Sequence, residues 1–136
     1  MEKIEHIGIA VRSLESSVPL FETLLQTPCY KTEYVADEGV NTAFFRQGDT
    51  KIELLEATEA DNALGKFIGN RGEGLHHIAF EVKDIVAEME RLRSAGFVLL
   101  QDEPRRGADN KWICFLHPKS VNGVLIELCQ AMATEM

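Results

Sequence analysis

Two stretches of the chain alternate apolar and polar positions in the same way. "HIGIAV" begins at His6 and "HIAFEV" at His77. A period of two marks a strand whose faces differ. In the first stretch Ile7, Ile9 and Val11 share one face, and His6, Gly8 and Ala10 share the other. In the second, Ile78, Phe80 and Val82 oppose His77, Ala79 and Glu81. Each strand is expected to bury its branched or aromatic side and to offer a histidine among small residues on the other.

Helical patterns follow both strands. In "DIVAEMERLRSAG", Asp84 suits the N-cap, Ile85, Met89 and Leu92 recur at helical spacing, and Gly96 suits the C-terminal cap. "SLESSVPLFETLLQT" is a weaker copy with an apolar stripe of Leu14, Phe21, Leu24 and Leu25. Pro19 is expected to delay or kink that helix.

The remaining strand patterns also match in pairs. "GDTKIELLE" (Gly48 to Glu56) resembles "NGVLIELCQ" (Asn122 to Gln130). Each has a glycine turn and then Ile-Glu-Leu, with Glu53 between Ile52 and Leu54 and Glu127 between Ile126 and Leu128. "NTAFFRQ" (Asn41 to Gln47) and "KWICFLH" (Lys111 to His117) supply further strands. His6 and His77 lie 71 positions apart, Glu53 and Glu127 lie 74 apart, and the excess is a loop length. The pattern therefore predicts an α+β fold of two βαβββ modules in a single domain over residues 1–136. Module one covers 1–57, module two 74–131, and a linker over 58–73 carries a short helix near Asn62 to Ile68. Two copies of so long a period are not a solenoid.

Composition narrows the setting. The chain has 136 residues and 45% hydrophobic content, enough for one core. No apolar run approaches the ~20 residues that span a bilayer. The start, "MEKIEHIGIAV", carries acids and lacks signal-peptide character. Three cysteines without a CxxC pair suit reduced thiols, so a cytoplasmic location is expected. Cys114 and Cys129 read as small core hydrophobes. A net charge of −8 argues against nucleic acid or an anionic membrane as partner. Arg105, Arg106, Lys111 and Lys119 nevertheless fall within fifteen positions. On spacing alone they form a solvated loop; the alternative is a patch that holds an anionic ligand.

The repeated acid changes the picture. A carboxylate in an apolar strand is costly to bury unless it is paired or bound to a metal. If a local two-fold relates the modules, His6, Glu53, His77 and Glu127 converge. Two imidazoles and two carboxylates suit an octahedral divalent ion (Co²⁺, Ni²⁺, Mn²⁺, Fe²⁺ or Zn²⁺) with two positions left open. No cysteine stands where a structural zinc would need it. His76 matches Glu5 rather than His6, falls on the opposite face and is expected to sit at the start of its strand without ligating.

With these residues in place, the chain resembles the vicinal oxygen chelate superfamily from Ile4 to Gln130. Within it, "GLHHIAFEV" and "FLHPKSVNGVLIELCQ" resemble the methylmalonyl-CoA epimerases, and "GDTKIELLE" and "DEPRRGADN" match their pattern. That resemblance implies a cupped, half-barrel mixed sheet with helices outside. It maps the metal ligands to His6, Glu53, His77 and Glu127, with Co²⁺ the expected ion and Ni²⁺, Mn²⁺ or Zn²⁺ as alternatives. It implies epimerisation of (2R)- and (2S)-methylmalonyl-CoA by α-proton abstraction, with Glu127 as the catalytic acid/base, and a homodimer. Arg105, Arg106, Lys111 and Lys119 would meet the phosphates of the acyl-CoA. Thr42 stands where some of these epimerases carry a glutamate proposed as a base, which leaves the second acid/base unassigned. Two other readings share the fold. One is lactoylglutathione lyase, with the same ligand set. The other is a metal-free small-molecule-binding protein, which would not need to keep all four ligands.

Overall fold

Apolar residues at strand and helix spacing build two copies of one βαβββ unit, as expected for an α+β chain. The computed structural model describes residues 1–133; the last three positions of the expected 1–136 domain lie outside the described residues. One unit is His6–His76, and the other joins Met1–Glu5 to the chain from His77 onward. Residues 58–73 thus group with the first unit.

The first unit contains β1 (Lys3–Val11, from His6 on), α1 (Leu14–Leu25), β2 (Lys31–Val35), β3 (Val40–Gln47), β4 (Thr50–Ala57) and α2 (Ala63–Arg71). Its strand order is β2-β3-β4-β1, with β1 parallel to β4 and the other pairs antiparallel. Leu14, Val18, Phe21 and Leu25 of α1 pack on Ile9, Val11, Phe45, Ile52 and Leu54. Leu24, expected in that stripe, is 67% exposed, and Val18 takes its place at helical spacing. Pro19 does not delay α1, which starts five residues earlier. Ser13 caps its first turn and Glu56 accepts from the Leu14 N–H at 2.8 Å, so the start is held independently of the proline. On the other sheet face, Ala10, Val40 and Leu55 pack against Leu64, Phe67 and Ile68 of α2. That helix runs to Arg71, three residues beyond the expected end.

The second unit contains β5 (Gly74–Glu81, from His77 on), α3 (Ile85–Ser94), β6 (Arg105–Gly107), β7 (Lys111–Leu116), a 3₁₀ turn over Pro118–Val121 and β8 (Ile126–Ala131). The order β5-β8-β7-β6 pairs β5 and β8 in parallel and the rest antiparallel. The chain start lies beside β5, where the Glu2 N–H donates to the Glu81 carbonyl at 2.9 Å. Asp84 caps α3 as expected, and Ile85, Met89 and Leu92 are buried against Val82, Cys114, Leu116, Ile126 and Leu128. No helix among the described residues is long and apolar enough to cross a membrane.

The histidine faces differ from expectation. Ala10, Ala79, His6 and His77 are buried, whereas Ile7, Ile9, Ile78 and Phe80 are only half-buried. Within the second unit Ala79 packs with Ile113, Phe115 and Cys129. The histidine face is therefore buried at these four positions rather than open.

Candidate metal centre

Ile52 and Leu54 turn toward α1, and Ile126 and Leu128 toward α3. Strand alternation then sends Glu53 and Glu127 to the opposite faces. Register gives both acids equivalent neighbours. Glu53 lies between Gly8 on β1 and Phe44 on β3, and Glu127 lies between Ala79 on β5 and Phe115 on β7. Gly8 and Ala79 project little or nothing into the space beside each acid. The histidine two residues before each, His6 or His77, shares that face and reaches across. His6 Nδ1 stands 3.1 Å from Glu53 Oε2, and His77 Nε2 stands 3.1 Å from Glu127 Oε1. The four residues are 5%, 3%, 7% and 5% exposed, in that order. The His77 ring meets Phe115 edge-on, with centroids 5.7 Å apart, which restrains its rotation.

These pairs fit a divalent ion. Nitrogen and oxygen ligands bind such ions at about 2.1 Å, so two at right angles sit about 3 Å apart. Both His–Glu separations have that length, and both pairs combine a borderline nitrogen donor with a hard oxygen donor.

The other expected residues fall in several places. Thr42 is buried on β3, paired with Leu55 and Glu33, and shares a face with Phe44. His76 is half-buried and packs edge-on against Phe67 at 4.8 Å, so it supports α2 within the first unit. Arg105 pairs with Ile113 on β7, whose side chain lies with Phe115, and Lys111 shares that side by alternation. Arg106 pairs with Trp112 and lies 5.4 Å over its ring, on the α3 side. Lys119 lies in the 3₁₀ turn beyond the other end of β7. The four cations do not form one patch, because Arg105 and Arg106 are strand neighbours rather than loop residues.

The "HPKS" segment is a self-capped turn. The Lys119 N–H donates to His117 Nδ1 at 3.0 Å, and Ser120 Oγ donates to the His117 carbonyl at 2.9 Å. Pro118 opens the turn, where its missing N–H costs nothing. Cys114 and Cys129 are buried as expected, and burial pushes the Cys114 thiol pKa up. Sequence reasoning missed a cationic and aromatic group, Tyr30, Lys31, Phe44 and Arg46, because β2 went unrecognised.

Residues 5–115 match the family model described as the Glyoxalase/Bleomycin resistance protein/Dioxygenase superfamily. The chain belongs to this superfamily. It is 38% identical over 130 residues to the ethylmalonyl-CoA/methylmalonyl-CoA epimerase of Cereibacter sphaeroides, covering 94% of this chain and 97% of that one. Among solved structures, a Streptomyces coelicolor methylmalonyl-CoA epimerase variant in complex with 2-nitronate-propionyl-CoA is 38% identical. It has a TM-score of 0.93, with 98% of this chain and 99% of that chain covered. A methylmalonyl-CoA epimerase in complex with methylmalonyl-CoA and NH₄⁺ is also 38% identical with a TM-score of 0.93, covering 99% and 98%. The superfamily membership and the likeness to the epimerases read from the sequence are both borne out.

Proposed function

We propose that this chain is a divalent-metal-dependent methylmalonyl-CoA epimerase whose two units act as one domain. One observation carries the reading: each half of the chain builds the same buried His–Glu pair at 3.1 Å, beside the same aromatic and small neighbours. Relatives named for this activity match along nearly the whole chain.

His6, Glu53, His77 and Glu127 would hold the ion, with Co²⁺ expected and Ni²⁺, Mn²⁺ or Zn²⁺ as alternatives. When bound, the ion would supply Lewis-acid stabilisation of the negative charge that develops on the substrate, worth several kcal/mol of barrier. The substrate's α-hydrogen lies between a thioester and a carboxylate and is weakly acidic. Glu127 removes it from one face of C2 and can return it there. Phe115 and Ala79 flank Glu127 and exclude water from it. Inversion needs a proton donor on the opposite face. Thr42 has a hydroxyl in place of a carboxylate, so Glu53 is the candidate for that second role. Arg105 and Lys111 share the side of Phe115 and are candidates for the substrate's phosphates. The reading places the enzyme in the cytoplasm as a homodimer, and its cysteines are free thiols.

Two substrates test it on metal-loaded protein. Interconversion of (2R)- and (2S)-methylmalonyl-CoA supports the proposal. Turnover only of the methylglyoxal–glutathione hemithioacetal assigns the chain to the lyases instead.

A further inference from the structure

We propose that Lys31 and Arg46, braced by Tyr30 and Phe44, form an anion subsite on the Glu53 face of the first unit and hold a phosphate of the acyl-CoA. The identity of the ligand rests on the epimerase reading above.

Register places the group. Phe44 pairs with Glu53 on one side and with Lys31 on the other, so the three side chains share a face. Arg46 follows Phe44 by two positions and has the same orientation. The aromatic rings hold both cations in place. Lys31 Nζ lies 4.7 Å from the Phe44 centroid, and the Arg46 guanidinium lies 4.5 Å over Tyr30. Tyr30 and Phe44 themselves pack at 5.9 Å, and the Tyr30 N–H donates to the Phe44 carbonyl at 3.1 Å. Long cationic side chains normally lose rotamer entropy when they bind an anion. Stacking on rings reduces that loss in advance.

A row of basic residues crosses this face. Arg46 is exposed, its register partner Lys51 is buried, and the next residue across the sheet is His6. On a chain of net charge −8, such a row focuses an anion locally. Glu33 opposes it. Its carboxylate lies 3.4 Å from Lys31 Nζ and neutralises part of that charge, which leaves Arg46 the principal donor. A guanidinium suits phosphate through paired N–H donors.

The probes are coenzyme A, followed by calorimetry, and two thioesters, followed by turnover: methylmalonyl-CoA and methylmalonyl-pantetheine, which carries no phosphate. Arg46→Ala is expected to raise the Kd of coenzyme A and the KM of methylmalonyl-CoA about tenfold. It should leave kcat and the pantetheine thioester unchanged, and Arg46→Lys should recover part of the loss. Glu33→Gln is expected to tighten coenzyme A, a gain that structural damage would not produce. Wild-type protein that fails to bind coenzyme A overturns the subsite, as does an Arg46→Ala protein that binds it unchanged. Equal losses on both thioesters also overturn it. Binding that depends on Arg46 without turnover of either thioester keeps the subsite and removes the epimerase reading.

Discussion

His77 Nε2 lies 3.1 Å from Glu127 Oε1, joining the middle of β5 to the start of its parallel neighbour β8. The contact spans fifty residues of sequence and is matched by His6 and Glu53 in the other unit. A single buried His–carboxylate contact is commonplace in a core. Two at corresponding positions of a duplicated module are the feature on which the proposed metal role rests.

Metal content follows directly. Protein loaded with Co²⁺ and desalted should hold one ion per chain by elemental analysis. Glu53→Ala and Glu127→Ala should each hold far less. An ion present at a hundred times its Kd stabilises the fold by about 2.7 kcal/mol, so chelation should lower the Tm by several degrees. A Tm indifferent to chelator and added ion counts against the site.

Glu127→Gln separates ligation from proton transfer. The amide oxygen remains a donor to the ion, while the proton-accepting carboxylate is lost. The kcat should fall by about 10²- to 10⁴-fold with metal still bound. Unchanged kcat would remove Glu127 from catalysis.

Gly65 tests the packing of α2. A Cβ there would meet the Glu59 carbonyl oxygen at 2.2 Å and the Ala60 carbonyl oxygen at 2.6 Å, both backbone atoms that cannot swing aside. Gly65→Ala is expected to cost about 1–3 kcal/mol in urea unfolding. Gly69, on the same helix, has nothing within 4 Å of its would-be Cβ. Gly69→Ala should be neutral or stabilising by up to about 1 kcal/mol.

Cys114 predicts an alkaline limit. Burial raises its folded pKa, so the folded thiol stays protonated where the unfolded thiol, with a pKa of about 8.5, ionises. Above that pH the unfolded state binds fewer protons, and stability falls as pH rises until the folded group also ionises. Its contribution is flat below the unfolded pKa. Urea unfolding between pH 7 and 10 should show this slope, and Cys114→Ala should reduce it. The folded thiol should also resist iodoacetamide at pH 8.

The paired His and Glu positions were legible because duplication shows them twice in one sequence, and α3 because its cap and apolar spacing agree. Two strands were not. β2 carries Lys31, Thr32 and Glu33 on a sheet edge, where little alternation is required, and β6 has only three residues. Missing β6 made Arg105 and Arg106 look like one basic loop, although adjacent strand residues point apart. Missing β2 hid Lys31 beside Phe44. The burial of the histidine faces was also illegible, because Gly8, Ala10 and Ala79 look undemanding until register shows what lies beside them.

The most direct measurement is proton exchange at C2. Metal-loaded protein is incubated with (2S)-methylmalonyl-CoA in D₂O and followed by NMR and chiral analysis. The account predicts deuterium at C2 together with the (2R) epimer, and loss of the (2R) epimer in Glu127→Gln. Retention of the C2 proton and of the starting configuration by metal-loaded protein would contradict it.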